Sequence, residues 1–386
     1  MKKTNIILIS ILLLCILSGC ADNSVQKTVK IAVMGNEADF YPCYKEGIER
    51  AVRDLNKEYA DSGYYTECEF YNDDGSYEEG AAIIDRLAAD ESVTAVIGST
   101  DMDINNTAAY VFDKAQKLLV VPYFLYDSVY RDNNYSTVLS LCNSARMVGK
   151  MLYRAAEQTT AKRWAVCAAD KKFQQAEMNG FLQCSDDKSI KIVDCVNISE
   201  LTNNLDEVYA RWENLGVEGV IMFPAENEGF DILKNLKRKN PSLICGGDTA
   251  FDNSIVSASD KELMQAMTGF IIADEFMLYE TSVDEENLLL DMQKECYINT
   301  GNDFDIWYIQ GYNAVRMTAD TAIRNQTCNS AEIARILHND GYSGFLQKFS
   351  FDENGEQKEY TYKYSVFNDE GYTTEYEIEG LGGSDE

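Results

Sequence analysis

The chain has 386 residues, 45% hydrophobic and 25% charged, which exceeds the roughly 250–300 residues at which a single core stops growing. Only 4 Pro and 24 Gly, with 11% aromatic residues, exclude a collagenous, mucin-like or broadly disordered chain. The 34 Lys and Arg against 64 Asp and Glu give a net charge of −30 that repels phosphate backbones, so no nucleic-acid partner is expected.

Lys2 and Lys3 precede an apolar run from Ile6 to Leu17, then Ser18, Gly19 and Cys20, the order of charges, grease and small residues found in a secretory signal peptide over residues 1–19. The 12 positions of that run fall short of the roughly 20 a helix needs to cross a bilayer, which disfavours a transmembrane anchor. Leu17-Ser18-Gly19-Cys20 resembles the bacterial lipobox, and the resemblance implies that Cys20 is acylated and becomes the first residue of a membrane-tethered, extracytoplasmic chain. Residues 20–28 are polar and without apolar periodicity, as expected of a lipidated linker. Cleavage would remove Lys2 and Lys3 and no acid, taking the net charge from −30 to −32.

Nine cysteines follow Cys20, an odd number. Cys167, Cys195 and Cys245 lie in apolar strand-like runs, where a thiol serves as a small hydrophobe. No CxxC spacing occurs and His338 is the only histidine, so neither a Cys/His zinc site nor a thiol relay is expected. Free thiols in an exported chain suit a reducing habitat, and one or two disulfides are also compatible with the count.

From Val29 onward, short apolar runs alternate with amphipathic stretches at the pitch of βαβ units. The runs predict strands at Lys30 to Met34, Glu67 to Tyr71, Ala95 to Gly98, Leu118 to Val121 and Val138 to Leu141. A second series runs through Trp164 to Ala168, Lys191 to Val196, Gly219 to Phe223, Leu243 to Gly246 and Phe270 to Ala273. Their near-continuous Val, Ile and Leu content is that of parallel strands covered on both faces. Between them, Ile48, Ala51, Val52 and Leu55 fall on one helical face, and Ser76 with Glu79 forms a capping-box pattern. Later helices are expected over Leu288 to Tyr297, Tyr308 to Arg324 and Ala331 to Asn339. The sequence then predicts a hairpin of Leu346 to Phe351 with Tyr360 to Phe367 around the turn Asp352-Glu-Asn-Gly355.

Several strings decorate this order: Ile31-Ala-Val-Met-Gly35, Gly47-Ile-Glu-Arg-Ala51, Tyr71-Asn-Asp-Asp74, Ala95-Val-Ile-Gly-Ser-Thr100, Val120-Val-Pro122, Gly311-Tyr-Asn-Ala314 and Gly341-Tyr-Ser-Gly-Phe345. Colinear over Val29 to Tyr372, they resemble the type I periplasmic binding protein family in its amino-acid-binding branch. The resemblance implies an α/β fold of two Rossmann-like lobes with parallel central sheets, joined by three hinge crossings. Lobe 1 would comprise residues 29–140 plus 274–345, and lobe 2 residues 141–273 plus 346–380. It implies a ligand held in the interlobe cleft and closure of the lobes around it.

The cleft of that family faces the carboxyl ends of the strands, where backbone N–H groups are unpaired. Ser99 and Thr100 follow the third strand and match positions that hold a ligand carboxylate in relatives. Tyr123, Phe124 and Leu125 match a second contact loop, and Phe173 an aromatic clamp on the second lobe. Glu226 and Asp248 follow later strands of that lobe, where an acid meets a ligand ammonium, and Gly246 and Gly247 permit close backbone approach beside Asp248. The loop after the first strand carries Asp39 and Phe40 where relatives are small and Ser/Gly-rich. These bulky and acidic residues favour an amine-bearing or aromatic amino-acid-like ligand over a branched aliphatic one.

No P-loop, GxGxxG, HExxH or GxSxG occurs, so catalysis is not expected, and no cofactor or metal is. Two functions use the same cleft: delivery of a solute to an ABC permease, with the membrane reached through the lipid anchor, or ligand sensing for a membrane signalling partner without transport.

Overall fold

The computed structural model describes residues 26–36, 42–123, 125–126, 129, 133–184, 189–225, 228–251, 260–273, 282–358, 362–370 and 373–378. Lobe 1 is built on a parallel sheet of β1 (Lys27–Gly35), β2 (Tyr64–Asn72), β3 (Ala95–Ile97), β4 (Leu118–Val121) and β5 (Val138–Ser140), in the order β2-β1-β3-β4-β5. Val29, Ile31, Ala32, Val33 and Met34 of β1 are all buried, so both faces of this strand are covered and the apolar run is continuous rather than alternating. The helices that cover it are α1 (Pro42–Glu58), α2 (Tyr77–Ala89) and α3 (Met102–Lys114). Ser76 caps α2 by accepting from Glu79 N at 3.4 Å.

Lobe 2 carries α4 (Ala145–Glu157), β6 (Arg163–Ala168), α5 (Lys172–Gln183), β7 (Lys191–Asn197), α6 (Ile198–Asn203), α7 (Leu205–Leu215), β8 (Gly219–Phe223), α8 (Glu228–Lys239), β9 (Ile244–Gly247), α9 (Lys261–Met267) and β10 (Ile271–Ala273). Alternate residues of β6 feed opposite cores. Trp164, Val166 and Ala168 pack with Val148 and Leu152 of α4 and Phe181 of α5, whereas Ala165 and Cys167 pack with Trp212 of α7 and Leu233 of α8.

After β10 the chain returns to lobe 1 as α10 (Val283–Thr300), α11 (Ile306–Arg324) and α12 (Ser330–Asp340). A complete capping box opens α10, with Ser282 and Glu285 each bonding the other's backbone. The helix α11 is buried over most of its length against α1.

The C-terminal region departs from the expected hairpin. β12 (Lys348–Phe349) pairs with β11 (Tyr342–Ser343), and Phe351 bridges to Gln357. β13 (Tyr362–Phe367) pairs antiparallel with β10 on one side and with β14 (Thr373–Ile378) on the other, giving the order β14-β13-β10-β9-β8-β6-β7. Phe345, Leu346, Phe349 and Phe351 are buried in the lobe 1 core. The Asn313 amide fixes this placement: its Nδ2 donates to Phe345 O at 2.9 Å and its Oδ1 accepts from Phe345 N at 2.7 Å.

That turn packs against the first crossing. Ser140 N donates to Gly355 O at 3.0 Å, and the buried Glu356 carboxylate accepts from the Ser144 hydroxyl and from Arg146 Nη2, the latter at 3.3 Å. Gly355 has φ +76°, and a Cβ there would lie 1.8 Å from Val138 O, so only glycine allows the two segments to touch. Gly355→Ala is therefore expected to destabilise the protein by at least about 1–3 kcal/mol, read as a lowered urea midpoint. An unchanged midpoint would separate this turn from the crossing.

Candidate functional site

At the carboxyl edge of lobe 1, the turns after β2 and β3 form one buried network. The Asp73 carboxylate, fully buried, accepts the Ser99 hydroxyl at 2.7 Å through Oδ2 and Gly75 N at 3.0 Å through Oδ1. Ser99 Oγ in turn accepts from Asp101 N at 3.0 Å, and Ser99 O accepts from Asn105 Nδ2 at 2.7 Å. Asn105 lies so close that a Cβ on Gly98 would come within 2.6 Å of its Oδ1. Ser99 is thus committed within the lobe, donating to one partner and accepting from another. Thr100 beside it is half-buried and makes no side-chain hydrogen bond among the described residues. Asp101 caps α3 by accepting from Ile104 N at 2.9 Å, and the positive end of that helix dipole lies at the same turn.

The end of β4 carries an aromatic wall. The Tyr123 ring stacks on Trp307 with centroids 4.5 Å apart and meets Tyr44 edge-on at 5.3 Å. Leu125 is buried in the adjoining core. Tyr126 follows, its phenol raised above the ordinary range by burial and by a hydrogen bond to Asp103. Lys172, at the start of α5 in lobe 2, places its Nζ 4.5 Å from the Tyr126 ring centroid. That contact joins the loop after β4 to the loop after β6, so the carboxyl edges of the two sheets face one another. A cavity of about 630 Å³ opens there, lined in part by Tyr77, Asp101, Asp103, Asn106, Tyr126 and Lys172, within the size range of small-molecule sites.

On lobe 2, Phe173 is half-buried in the first turn of α5. Asp248 follows β9 and is 2% exposed. Burial pushes its carboxyl up to about 6, against the lowering effect of hydrogen bonds from Glu177 and Ala250 N, the latter at 3.1 Å. Glu177, on α5, is fully buried, so two acids from different elements meet at this edge. Among the described residues no group of three or more His, Cys, Asp or Glu is placed to hold a metal ion.

Asp39, Phe40, Phe124 and Glu226 of the expected site lie outside the described residues, as does Cys20. Ser99 and Thr100 follow β3 and Tyr123 and Leu125 follow β4 on lobe 1, whereas Phe173 and Asp248 lie on lobe 2, and none of the six is among the residues that line the cavity. Sequence reasoning missed Asp73 as the anchor of Ser99, and it missed Tyr44, Trp307, Lys172 and Glu177. Asp73 carried one signal, a carboxylate directly after the second strand. Trp307 carried only its position two residues after the Asp305 cap of α11.

The geometry defines a two-lobed α/β binding protein whose functional loops gather at facing sheet edges. The chain belongs to the periplasmic binding protein family, whose sequence model matches residues 29–369. The family is one of non-enzymatic, extracytoplasmic substrate-binding proteins. A substrate-binding protein from Desulfitobacterium hafniense, solved with leucine, superposes with a TM-score of 0.73 at 19% identity, covering 90% of this chain and 100% of that one. A branched-chain amino acid transporter substrate-binding protein from Streptococcus pneumoniae, solved with isoleucine, gives 0.66 at 16% identity over 91% and 99%. A solute-binding protein from R. palustris, solved with benzoate, gives 0.67 at 11% identity over 92% and 99%. No curated protein matches the sequence. The expected family and two-lobed fold are confirmed.

Asp248 links the site to pH. Its folded value of about 6 lies above the ordinary 3.8, so the folded state binds the proton more tightly than the unfolded chain. The associated stability is complete below about pH 4 and is lost as pH rises through about 6. Asp248→Asn is expected to remove that dependence and to gain about 3 kcal/mol on wild type at pH 7 relative to pH 4. Urea melts of both proteins across this range check it, and parallel stability curves would refute the shifted carboxyl.

Proposed function

We propose that this protein is a lipid-tethered receptor that captures a small amino-acid-like carboxylate between its lobes and hands it to an ABC importer. The observation that carries the reading is the facing of the two sheet edges across a cavity of about 630 Å³. Lobe 1 offers donors, Thr100 and the amides at the start of α3, and lobe 2 offers the buried Asp248 carboxyl. Leucine, isoleucine and benzoate, held by the similar structures, share a carboxylate, the group that such donors bind. In this reading Thr100 takes the ligand carboxylate and Ser99 holds the turn that presents it. Tyr123, with Leu125 behind it, and Phe173, joined by Phe124 from family resemblance and by Phe40 from the divergent loop after β1, enclose the ligand body. Asp248, with Glu226 by resemblance and Asp39 from that divergent loop, meets a ligand amine. The stacked Tyr123 and Trp307 favour a flat or aromatic body over a short branched one.

Cys20, following the apolar signal, is the proposed attachment point. Cells fed a labelled fatty acid are expected to incorporate label into the wild-type chain and not into Cys20→Ala; equal labelling of both would remove the anchor from this position.

The ligand itself is sought by thermal shift with free amino acids, small peptides, amines and aromatic carboxylates. A ligand at 100 times its Kd stabilises by about 2.7 kcal/mol. Thr100→Ala is expected to weaken every carboxylate by roughly 10- to 150-fold, the worth of a charged hydrogen bond. Asp248→Asn is expected to weaken only ligands that also carry an amine. Silence from all carboxylates, or an affinity indifferent to Thr100, would overturn the assignment.

A further inference from the structure

Cys43 lies in the first turn of α1 and Cys296 in the C-terminal half of α10, 253 positions apart in sequence. Both are buried, at 1% and 0% exposure, and their sulfurs are 3.2 Å apart. A disulfide bond spans about 2.05 Å, so the two sulfurs need only a further ~1.2 Å of approach. Cys43 Sγ also donates to Asp303 O at 3.1 Å, which ties the same point to the segment leading into α11.

The helix that carries Cys296 is lightly held. Met292 and Cys296 are its fully buried side chains. Its other ties to α1 are polar: Arg50 with Asp291 at 3.1 Å and with Glu295, Arg53 with Glu295 at 2.6 Å, and Asn299 with Glu46 at 3.1 Å. Partly exposed ion pairs of this kind contribute little. Leu288 and Leu289 pack partly buried on the lobe 1 core, whereas Val283, Leu290, Tyr297 and Ile298 face solvent, so apolar burial anchors α10 only in part.

We propose that Cys43 and Cys296 close into a disulfide that staples α10 to α1. In the cell this rests on the export reading above, since an oxidising compartment is what allows such a bond to persist. With a small disulfide such as oxidised glutathione as oxidant, the thiolate of one cysteine attacks and expels one glutathione thiolate. The thiolate of the second cysteine then displaces the other glutathione. Two protein thiols are oxidised, one glutathione disulfide is reduced, and the two protons end on the released thiols. Burial pushes the Cys43 thiol up to about 12, so this thiol stays protonated in the folded chain. Closure takes place as the chain folds or when α10 lifts. The bond would brace the part of lobe 1 that carries Tyr44 and Trp307.

The test is peptide mapping without reduction, after alkylation of free thiols, on the full protein isolated from cells and on the same protein refolded in a glutathione redox buffer. The expected result is a peptide linking Cys43 to Cys296 in both samples, with an unfolding midpoint a few degrees above that of the reduced protein. Cys43→Ser and Cys296→Ser should each abolish the linked peptide and that difference. A link that forms on refolding but is missing from cell-derived protein supports the pair and counts against an oxidising compartment. Full alkylation of both cysteines after refolding in oxidised glutathione, or their linkage to other cysteines, would overturn the proposal, and neither outcome depends on export.

Discussion

The buried carboxylate of Asp73 holds the carboxyl edge of the lobe 1 sheet together. A charge removed from water is tolerated only when its oxygens are satisfied, and here one oxygen takes the Ser99 hydroxyl while the other takes Gly75 N. Because Asp73 follows β2 and Ser99 follows β3, this couples two crossover turns that parallel pairing would otherwise leave independent. Asn105 closes the network from α3 by taking Ser99 O and by pressing against Gly98. The turn after β3 therefore has one conformation. Thr100 and the first amides of α3 are presented by a scaffold whose own hydrogen bonds are already made, which is what preorganisation means for a binding site.

Opposite it, lobe 2 is built to a different electrostatic plan. Asp248 and Glu177 meet at the end of β9 without a cation among the causes that set the Asp248 carboxyl. Across the gap the tie given by the geometry is Lys172 over Tyr126, a contact of modest strength. The two edges are thus held near one another by the chain crossings, where Gly355 packs on Val138 and Ser144 and Arg146 hold Glu356. Contacts that a ligand makes to both edges at once supply differential free energy that this arrangement otherwise lacks.

The strands were legible nearly to the residue because a parallel strand covered on both faces writes itself as an uninterrupted apolar run, as Trp164 to Ala168 does. Pairing was less legible. The turn at Asp352 to Gly355 was placed correctly, but the apolar residues before it, Phe349 and Phe351, find their partners in lobe 1 through Asn313 on α11 and the β11 strand. The residues after it add to β10 instead. Local turn chemistry cannot distinguish a hairpin from a lobe crossing, since both demand the same left-handed glycine. At the site, Ser99 was visible as a hydroxyl at a strand end. Its commitment to Asp73 depends on the ends of β2 and β3, which flank β1, lying at the same edge of the sheet, and the order of elements specifies this only after the sheet is assembled. The Tyr123–Trp307 stack is hidden for the same reason.

An acid such as Asp248 is expensive to keep at neutral pH, because burial raises its carboxyl and the charged form is disfavoured. A protein selected for stability alone would place an apolar or amide side chain there, as replacements of buried charges frequently show. Glu177 supplies a hydrogen bond to Asp248 that offsets part of that cost. On the proposed reading the arrangement becomes economical only when a ligand amine enters as the compensating positive charge. The instability of the empty edge is then part of the affinity of the filled one, since a group that is poorly satisfied without ligand gains most from its arrival.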